Sequence, residues 1–438
     1  MRSNVDRAAG SAPLPMLVGL MRTRRFAPLF WCQFFSVFND NFVRNMLAML
    51  ILFRLGEAEA GPLITLAVGI FMLPSLCLSG LGGEMADAQD KARLTKRLKF
   101  AEILVQVIAA IGLWQASLPL LYSALFGLGV ISALFGPIKY GILPDLLERH
   151  ELVAGNALVE AATFIAIFLG LIAGGLSAVG RTPEGTMAQL MAIALACWAA
   201  SLFIPSTGRA APDLRVNPNV LASTRDLLRE VKREPCLWSR SMAVSWFWMT
   251  GAVTLSLVPV VIRNKTGGGI GVETAISAFF ALGIGIGSLA AAIIARGRIL
   301  LAPVPLAALG MAGFLIDLGL ATWSLPTATT EVDIPTFLSS AIGLRIAFDV
   351  AGLATAGGLF VVPLFSAIQV DAAKHMRARI VGGVNILNSA FIVGGVLLTV
   401  VLQSKSVGLS EPILLAGLGV LNLGAAFYVW KTVSRKAD

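Results

Sequence analysis

Apolar runs of about 20 residues, separated by short polar connections, recur along the whole chain, and no other feature restricts its fold as much. A helix of ~20 residues is long enough to cross the ~30 Å hydrocarbon core of a bilayer. The runs lie near 29–53, 61–83, 100–117, 119–144, 153–178, 187–205, 238–263, 272–295, 302–324, 349–370, 380–403 and 411–431. They are apolar on all sides and too long for the ~10-residue alternating strands of a membrane barrel, so the spanning structure is helical. Composition agrees: 57% of the 438 residues are hydrophobic, 13% are charged, and the mean hydropathy is +0.82. The expected fold class is therefore an all-α membrane protein with 12 transmembrane helices.

Charge sets the expected topology. Arg2, Arg7, Arg22, Arg24 and Arg25 open the chain without the small-residue cleavage site of a secretory signal, which predicts a cytoplasmic N-terminus. An even number of spans returns the C-terminus to the same side. Basic residues gather in alternate connections: Lys91, Arg93, Lys96, Arg97 and Lys99 in one, Arg209 to Arg233 in the central one, and Lys374, Arg377 and Arg379 in another. The opposite connections hold little beyond Arg54, Arg181, Arg263, Lys265 and Lys405. The net charge of +9 thus follows from membrane topology, and nucleic acid is not an expected partner. Cys32, Cys77, Cys197 and Cys236 are scattered, and His150 and His375 are far apart, so neither a disulfide framework nor a metal site is expected.

The longest polar interruption, "TGRAAPDLRVNPNVLASTRDLLREVKREPC", divides six spans from six. It predicts an N-terminal six-helix bundle at 1–206, a cytoplasmic linker at 207–237 and a C-terminal six-helix bundle at 238–438. Within the linker, Leu221, Leu227, Leu228 and Val231 suit an amphipathic helix at 220–233 lying on the membrane surface. The halves echo each other: Pro137 answers Pro363, and Gly174-Gly175 answers Gly394-Gly395. Such symmetry is expected of transporters built from repeated bundles. Glycines cluster at 80–83, 170–175 and 283–287, where they suit either close helix packing or a sliding interface.

Ionisable residues inside the apolar runs are the candidate site, because charge at mid-membrane usually faces a cavity or a pathway. In "FFSVFNDNFVRNM", Asp40 and Arg44 are four apart and are expected to neutralise each other, with Asn39 and Asn41 beside them. Lys139, after the helix-opening Pro137, either joins a polar site or snorkels to the interface. Asn156 and Glu160 share a helix face, and Lys139 or Arg44 is a possible partner for Glu160. Arg345 and Asp349 are expected to pair locally, and Asp317 has no evident partner. In "GGEMADAQDKARLTKRLK", Gly83, Asp87, Lys91 and Arg93 form a candidate conformational latch. In it Asp87 accepts bonds from a helix N-terminus and the bases reach acidic partners; the basic run also suits an anchor to anionic lipid. No GxxxxGK[ST], HExxH or GxSxG occurs, so neither an enzyme nor a cofactor is expected.

The segment from Gly83 to Arg93 resembles the signature loop of the major facilitator superfamily. Within it, the chain is similar to the bacterial lysophospholipid transporter (LplT-like) family through "QFFSVFNDNFVRNML", "PIKYGIL", "GNALVEAATFIAIFLGLIAGG" and "GGLFVVPLFSAIQ". This resemblance implies two pseudo-symmetric six-helix bundles. It also implies inward flipping of lysophospholipids, chiefly lyso-phosphatidylethanolamine, across the bacterial inner membrane, followed by re-acylation. The chain ends at "WKTVSRKAD", so a separate acyltransferase/acyl-carrier-protein synthetase is the expected partner. The family's polar residues carry over to Asp40, Asn41 and Lys139. An arginine that some relatives carry in span seven is missing, since "SWFWMTGAVTLSLVPVV" offers only Thr250, Thr254 and Ser256. The competing readings are a proton-coupled exporter of amphipathic molecules, with Asp40 and Glu160 carrying protons, and a scaffold that only recruits the acyltransferase.

Overall fold

The computed structural model describes residues 13–434 except 56, 181 and 218. Arg2, Arg7 and Arg181, counted above toward the charge asymmetry, lie outside the described residues, as does the side chain of Arg54. The long helices are α1 (Pro13–Arg22), α2 (Ala27–Leu55), α3 (Glu57–Ala88), α4 (Lys91–Trp114), α5 (Leu118–Gly141), α6 (Leu152–Gly180) and α7 (Pro183–Leu202). They continue with α8 (Val220–Arg233), α9 (Pro235–Val261), α10 (Ile270–Ala295), α11 (Val304–Trp323), α12 (Ala341–Asp371), α13 (Arg377–Gln403) and α14 (Glu411–Val429). No strand occurs among the described residues beyond two isolated bridges.

Ten of these helices are long and apolar enough to cross a membrane. The two others of spanning length, α2 with 29 residues and α4 with 24, carry the charges that lower their apolarity: Asp40 and Arg44 in α2, Lys99 and Glu102 in α4.

The chain divides into two compact units. Unit 1 holds residues 1–155, 165–233 and 369–386; unit 2 holds 156–164, 234–368 and 387–438. The division falls beside Glu234, and each sequence half lends one short segment to the other unit.

In unit 1, Phe42, Met46 and Leu47 of α2 pack with Phe71 of α3, Ala109 of α4 and Leu121, Leu125 and Leu128 of α5. Close helix approach there depends on glycine: a Cβ on Gly170 would stand 2.5 Å from the Phe38 carbonyl oxygen. In unit 2, Phe164 stacks on Trp248 with centroids 5.8 Å apart, and Phe247 on Phe360 at 6.5 Å. Asn422 of α14 donates to the Ala308 carbonyl of α11 at 2.8 Å and accepts from Trp246 of α9 at 2.6 Å, so a polar residue ties three helices.

Three expectations need correction. The basic run 91–99 is not a loop: α4 already begins at Lys91, and Lys91 and Lys99 are 1% and 0% exposed. The cause is Asp90, whose Oδ1 caps the helix by accepting from the Arg93 N–H at 2.8 Å. Helix α8 forms as expected but turns its apolar face inward. Leu227 and Val231 are buried beside Gly80 and Gly383, while Leu221 is 80% exposed. Finally, Asp317 is partnered: Arg345 pairs with it across α11 and α12, so the expected Arg345–Asp349 pair is not the dominant contact.

Candidate functional site

Helix α2 carries Asn39, Asp40 and Asn41 into the interior of unit 1, where all three are buried. Helix α4 brings Lys99, Glu102 and Gln106 to the same place, because positions i, i+3 and i+7 share one helix face. The Lys99 ammonium donates to Glu102 Oε2 at 2.7 Å and Ser36 Oγ at 2.6 Å, and lies 4.1 Å from the centroid of the Phe135 ring. Asn39 Nδ2 donates to Glu102 Oε1 at 3.3 Å. Asp40 is faced by Ser132 of α5 and lies in the field of Glu102, Lys99 and Arg44. Two acids and two bases therefore meet here, with amides and hydroxyls around them.

Arg44 and Asp40 lie in each other's field, as expected, but the arginine's hydrogen bond goes elsewhere. Its Nη2 donates to Asn41 Oδ1 at 2.5 Å, and its guanidinium lies 5.7 Å over the Phe71 ring. Lys139 is half-buried on α5, with its ammonium 4.8 Å over the Tyr140 ring. Asn156 and Glu160 are buried in unit 2, where Asn156 Nδ2 donates to Ser366 Oγ at 3.1 Å. Asp40, Asn41, Arg44 and Lys139 belong to unit 1. Also in unit 1, Cys32 and Cys197 meet with their sulfurs 4.0 Å apart, unlike the scattered cysteines of the sequence reading.

Where α3 gives way to α4, a second cluster contains the candidate latch. Asp87 is fully buried and accepts from the N–H groups of Ala378 at 3.1 Å and Arg379 at 3.0 Å, capping the start of α13. Gly83 makes room for this contact, since a Cβ there would stand 2.7 Å from the Arg379 Cα. Lys91 pairs with Asp145 at 2.9 Å, and Arg377 reaches the other oxygen of Asp145 at 3.2 Å. The Arg93 side chain is exposed, and only its backbone N–H takes part, in the Asp90 cap.

Sequence reasoning passed over Lys99, Glu102 and Asp145. For the first two a signal existed: "KFAEILVQ" places Lys99, Glu102 and Gln106 on one face, provided that the helix starts before Lys99. Asp145 lay in a polar loop with no pattern to set it apart.

Asp90 also holds the start of the linker. Its Oδ2 accepts from Ser206 Oγ at 2.5 Å and from the N–H groups of Thr207 at 3.0 Å and Gly208 at 2.8 Å. Burial alone would push this carboxyl up. The bonds from Ser206, Arg93, Gly208 and Thr207 outweigh burial and hold it below the usual range for aspartate. Glu84 continues the strap, accepting from the Asn217 N–H at 2.8 Å and from Ser223 Oγ at 2.5 Å.

Several known proteins share this architecture. The human organic anion transporter MFSD10 (TETRAN) superposes with a TM-score of 0.72 over 92% of this chain and 99% of its own, at 15% identity. A bacterial homologue of the iron transporter ferroportin, in an outward-facing state, gives 0.67 over 93% and 99%, at 14% identity. In sequence, the chain is 28% identical over 363 residues to a protein named Lysophospholipid transporter LplT from Yersinia pestis (strain Pestoides F), covering 81% of this chain and 80% of that one. A protein of the same name from Yersinia pseudotuberculosis serotype O:3 (strain YPIII) matches equally. The sequence profile of the Major Facilitator Superfamily matches residues 29–396. The chain therefore belongs to the Major Facilitator Superfamily and is a multi-pass membrane transporter rather than an enzyme.

Proposed function

We propose that this transporter flips lysophospholipids, chiefly lyso-phosphatidylethanolamine, to the inner leaflet of the bacterial inner membrane by alternating access. The observation that carries the reading is the match over four fifths of the chain to proteins named as lysophospholipid transporters. In this reading α2 and α4 join the ten apolar helices to make 12 spans in two six-helix bundles, with both termini cytoplasmic. The segments 1–206 and 238–438 are then the two bundles and 207–237 the linker. A separate acyltransferase/acyl-carrier-protein synthetase consumes the product.

The buried charges suit a zwitterionic headgroup, which brings one anion and one cation to a site that must satisfy both. Within unit 1, Lys139 with Arg44 and Asn41 is assigned to the phosphate and Asp40 to the amine; Asn156 and Glu160 are the candidate polar contacts of unit 2. Gly83, Asp87, Lys91 and Arg93 are assigned to the latch.

The test uses proteoliposomes containing only this protein and measures movement of labelled lyso-phosphatidylethanolamine to the inner leaflet, with and without a proton gradient. The expected result is flipping well above empty vesicles, indifferent to the gradient, and reduced about tenfold or more by Asp40→Asn or Lys139→Gln at equal protein abundance. No flipping by folded, correctly oriented protein would sink the reading. Movement that collapses with the gradient would point to the proton-coupled exporter instead.

A further inference from the structure

Unit 2 contains a cavity of about 470 Å³ between α11 and α12, and the two helices carry, about one turn beyond its lining, an ion pair that the proposed headgroup site does not use. Two helix faces form its walls: Leu306, Gly310 and Phe314 on α11, and Phe348, Gly352 and Ala356 on α12. Helical spacing places Asp317 one turn beyond Phe314, and Arg345 and Asp349 on the same stretch of α12 as Phe348 and Gly352. Phe348 and Leu306 are 68% and 72% exposed, so the cavity is reached from the apolar flank that lipid covers.

Its crown is an ion pair with both partners accessible. Arg345 grips Asp317 with two bonds, Nε to Oδ2 at 2.9 Å and Nη2 to Oδ1 at 2.5 Å. Asp349 is 2% exposed and hydrogen-bonds the Asp317 carboxyl, so it supports the pair instead of facing the cavity. An accessible guanidinium beside an accessible carboxylate matches the phosphate and the ammonium of a zwitterionic headgroup. Below the crown the lining is almost wholly carbon, and Thr355 spends its hydroxyl on the Ala351 carbonyl. From Phe348 to Leu359 a helix rises about 17 Å. That is close to half of a ~30 Å hydrocarbon core, the depth reached by one acyl chain.

We propose that this cavity is a second lipid site, which takes the acyl chain of a single-chain phospholipid with an ammonium-bearing headgroup. The chain lies against Phe314, Phe348 and Gly352, the ammonium meets Asp317, and the phosphate meets Arg345. The identity of the lipid rests on the lysophospholipid reading above; the chemistry of the site does not. A phosphoglycerol headgroup brings an anion but no ammonium, leaves Asp317 without a cationic partner from the lipid, and binds less well. In the topology proposed above, the crown faces outward, where a lysophospholipid awaiting transport would first be met.

The test labels the full-length protein in nanodiscs with a lyso-phosphatidylethanolamine that carries a photoreactive diazirine in its acyl chain, and maps the adducts by mass spectrometry. Adducts are expected on peptides covering 303–317 and 345–359. Unlabelled lyso-phosphatidylethanolamine should displace them at concentrations about tenfold lower than lyso-phosphatidylglycerol. Asp317→Asn should erase that preference. Gly310→Leu, which fills the cavity with a better helix former, should remove the adducts while the thermal midpoint is kept. Adducts that excess lipid does not displace, meaning annular lipid only, would overturn the proposal, as would equal displacement by both lipids. Labelling does not require transport, so displaceable adducts on a protein that flips nothing would keep this site and remove the flippase reading. Flipping without adducts would do the reverse.

Discussion

Lys99 carries its charge to a place where its surface is fully covered, with Glu102, Ser36 and the Phe135 ring around it. Breaking such a pair from one side leaves the other charge uncompensated, at a cost of about 3–5 kcal/mol, whereas replacing both partners by apolar residues is often close to neutral. Lys99→Met should therefore lower the thermal midpoint in detergent sharply, and Lys99→Met with Glu102→Leu should recover most of the loss. Equal midpoints for the single and double variants would mean that the pair does not hold α2 and α4 together. The same residues show what could be read in advance. Asp40 stood out because it interrupts an apolar run. Lys99 was hidden because it follows a basic run at the edge of one, and only the helix start at Lys91 turns it inward.

At the scale of elements, the linker is the place where sequence and structure part. Its helix was legible from the spacing of Leu227 and Val231, but amphipathicity alone does not say whether an apolar face meets lipid or protein. Here Gly80 and Gly383 leave room for those side chains, and Glu84 and Asp90 strap the adjoining backbone. The Asp90 strap gives a pH dependence of definite sign. Its carboxyl titrates lower in the fold than in the unfolded chain, so its stabilisation is complete above the unfolded value of about 3.9 and is lost as pH falls through the folded value. Hydrogen exchange of segment 206–211, corrected for intrinsic rate, should stay flat from about pH 8 to 5 and rise only below about 4. Asp90→Ala should raise it at every pH. A strap that loosens near neutral pH would show that some other group holds it.

For the molecule as a whole, the apolar runs made the helical class legible, because the bilayer allows so few alternatives, while the family was legible only as a resemblance carried by Gly83 to Arg93 and four further stretches. The exchange of short segments between the two units was not legible, since it depends on contacts such as Asp87 with Ala378 and Arg379, whose partners are nearly 300 positions apart. Losing a helix cap costs about 0.5–2 kcal/mol, enough to shift a two-state equilibrium severalfold. Thiol labelling of Ala378→Cys, a buried position, should accelerate severalfold when Asp87→Ala is added in a background with Cys77→Ser and Cys236→Ser. An unchanged rate would remove Asp87 from the latch. The strapped linker also changes what kind of mechanical part it is. A free polar tether of 27 residues, from 207 to 233, would behave as an entropic spring with a mean span of roughly 30 Å, resisting extension. Fastened by Asp90 and Glu84 and packed through Leu227 and Val231, it has given up that freedom at folding, and little slack remains before α9 begins at Pro235.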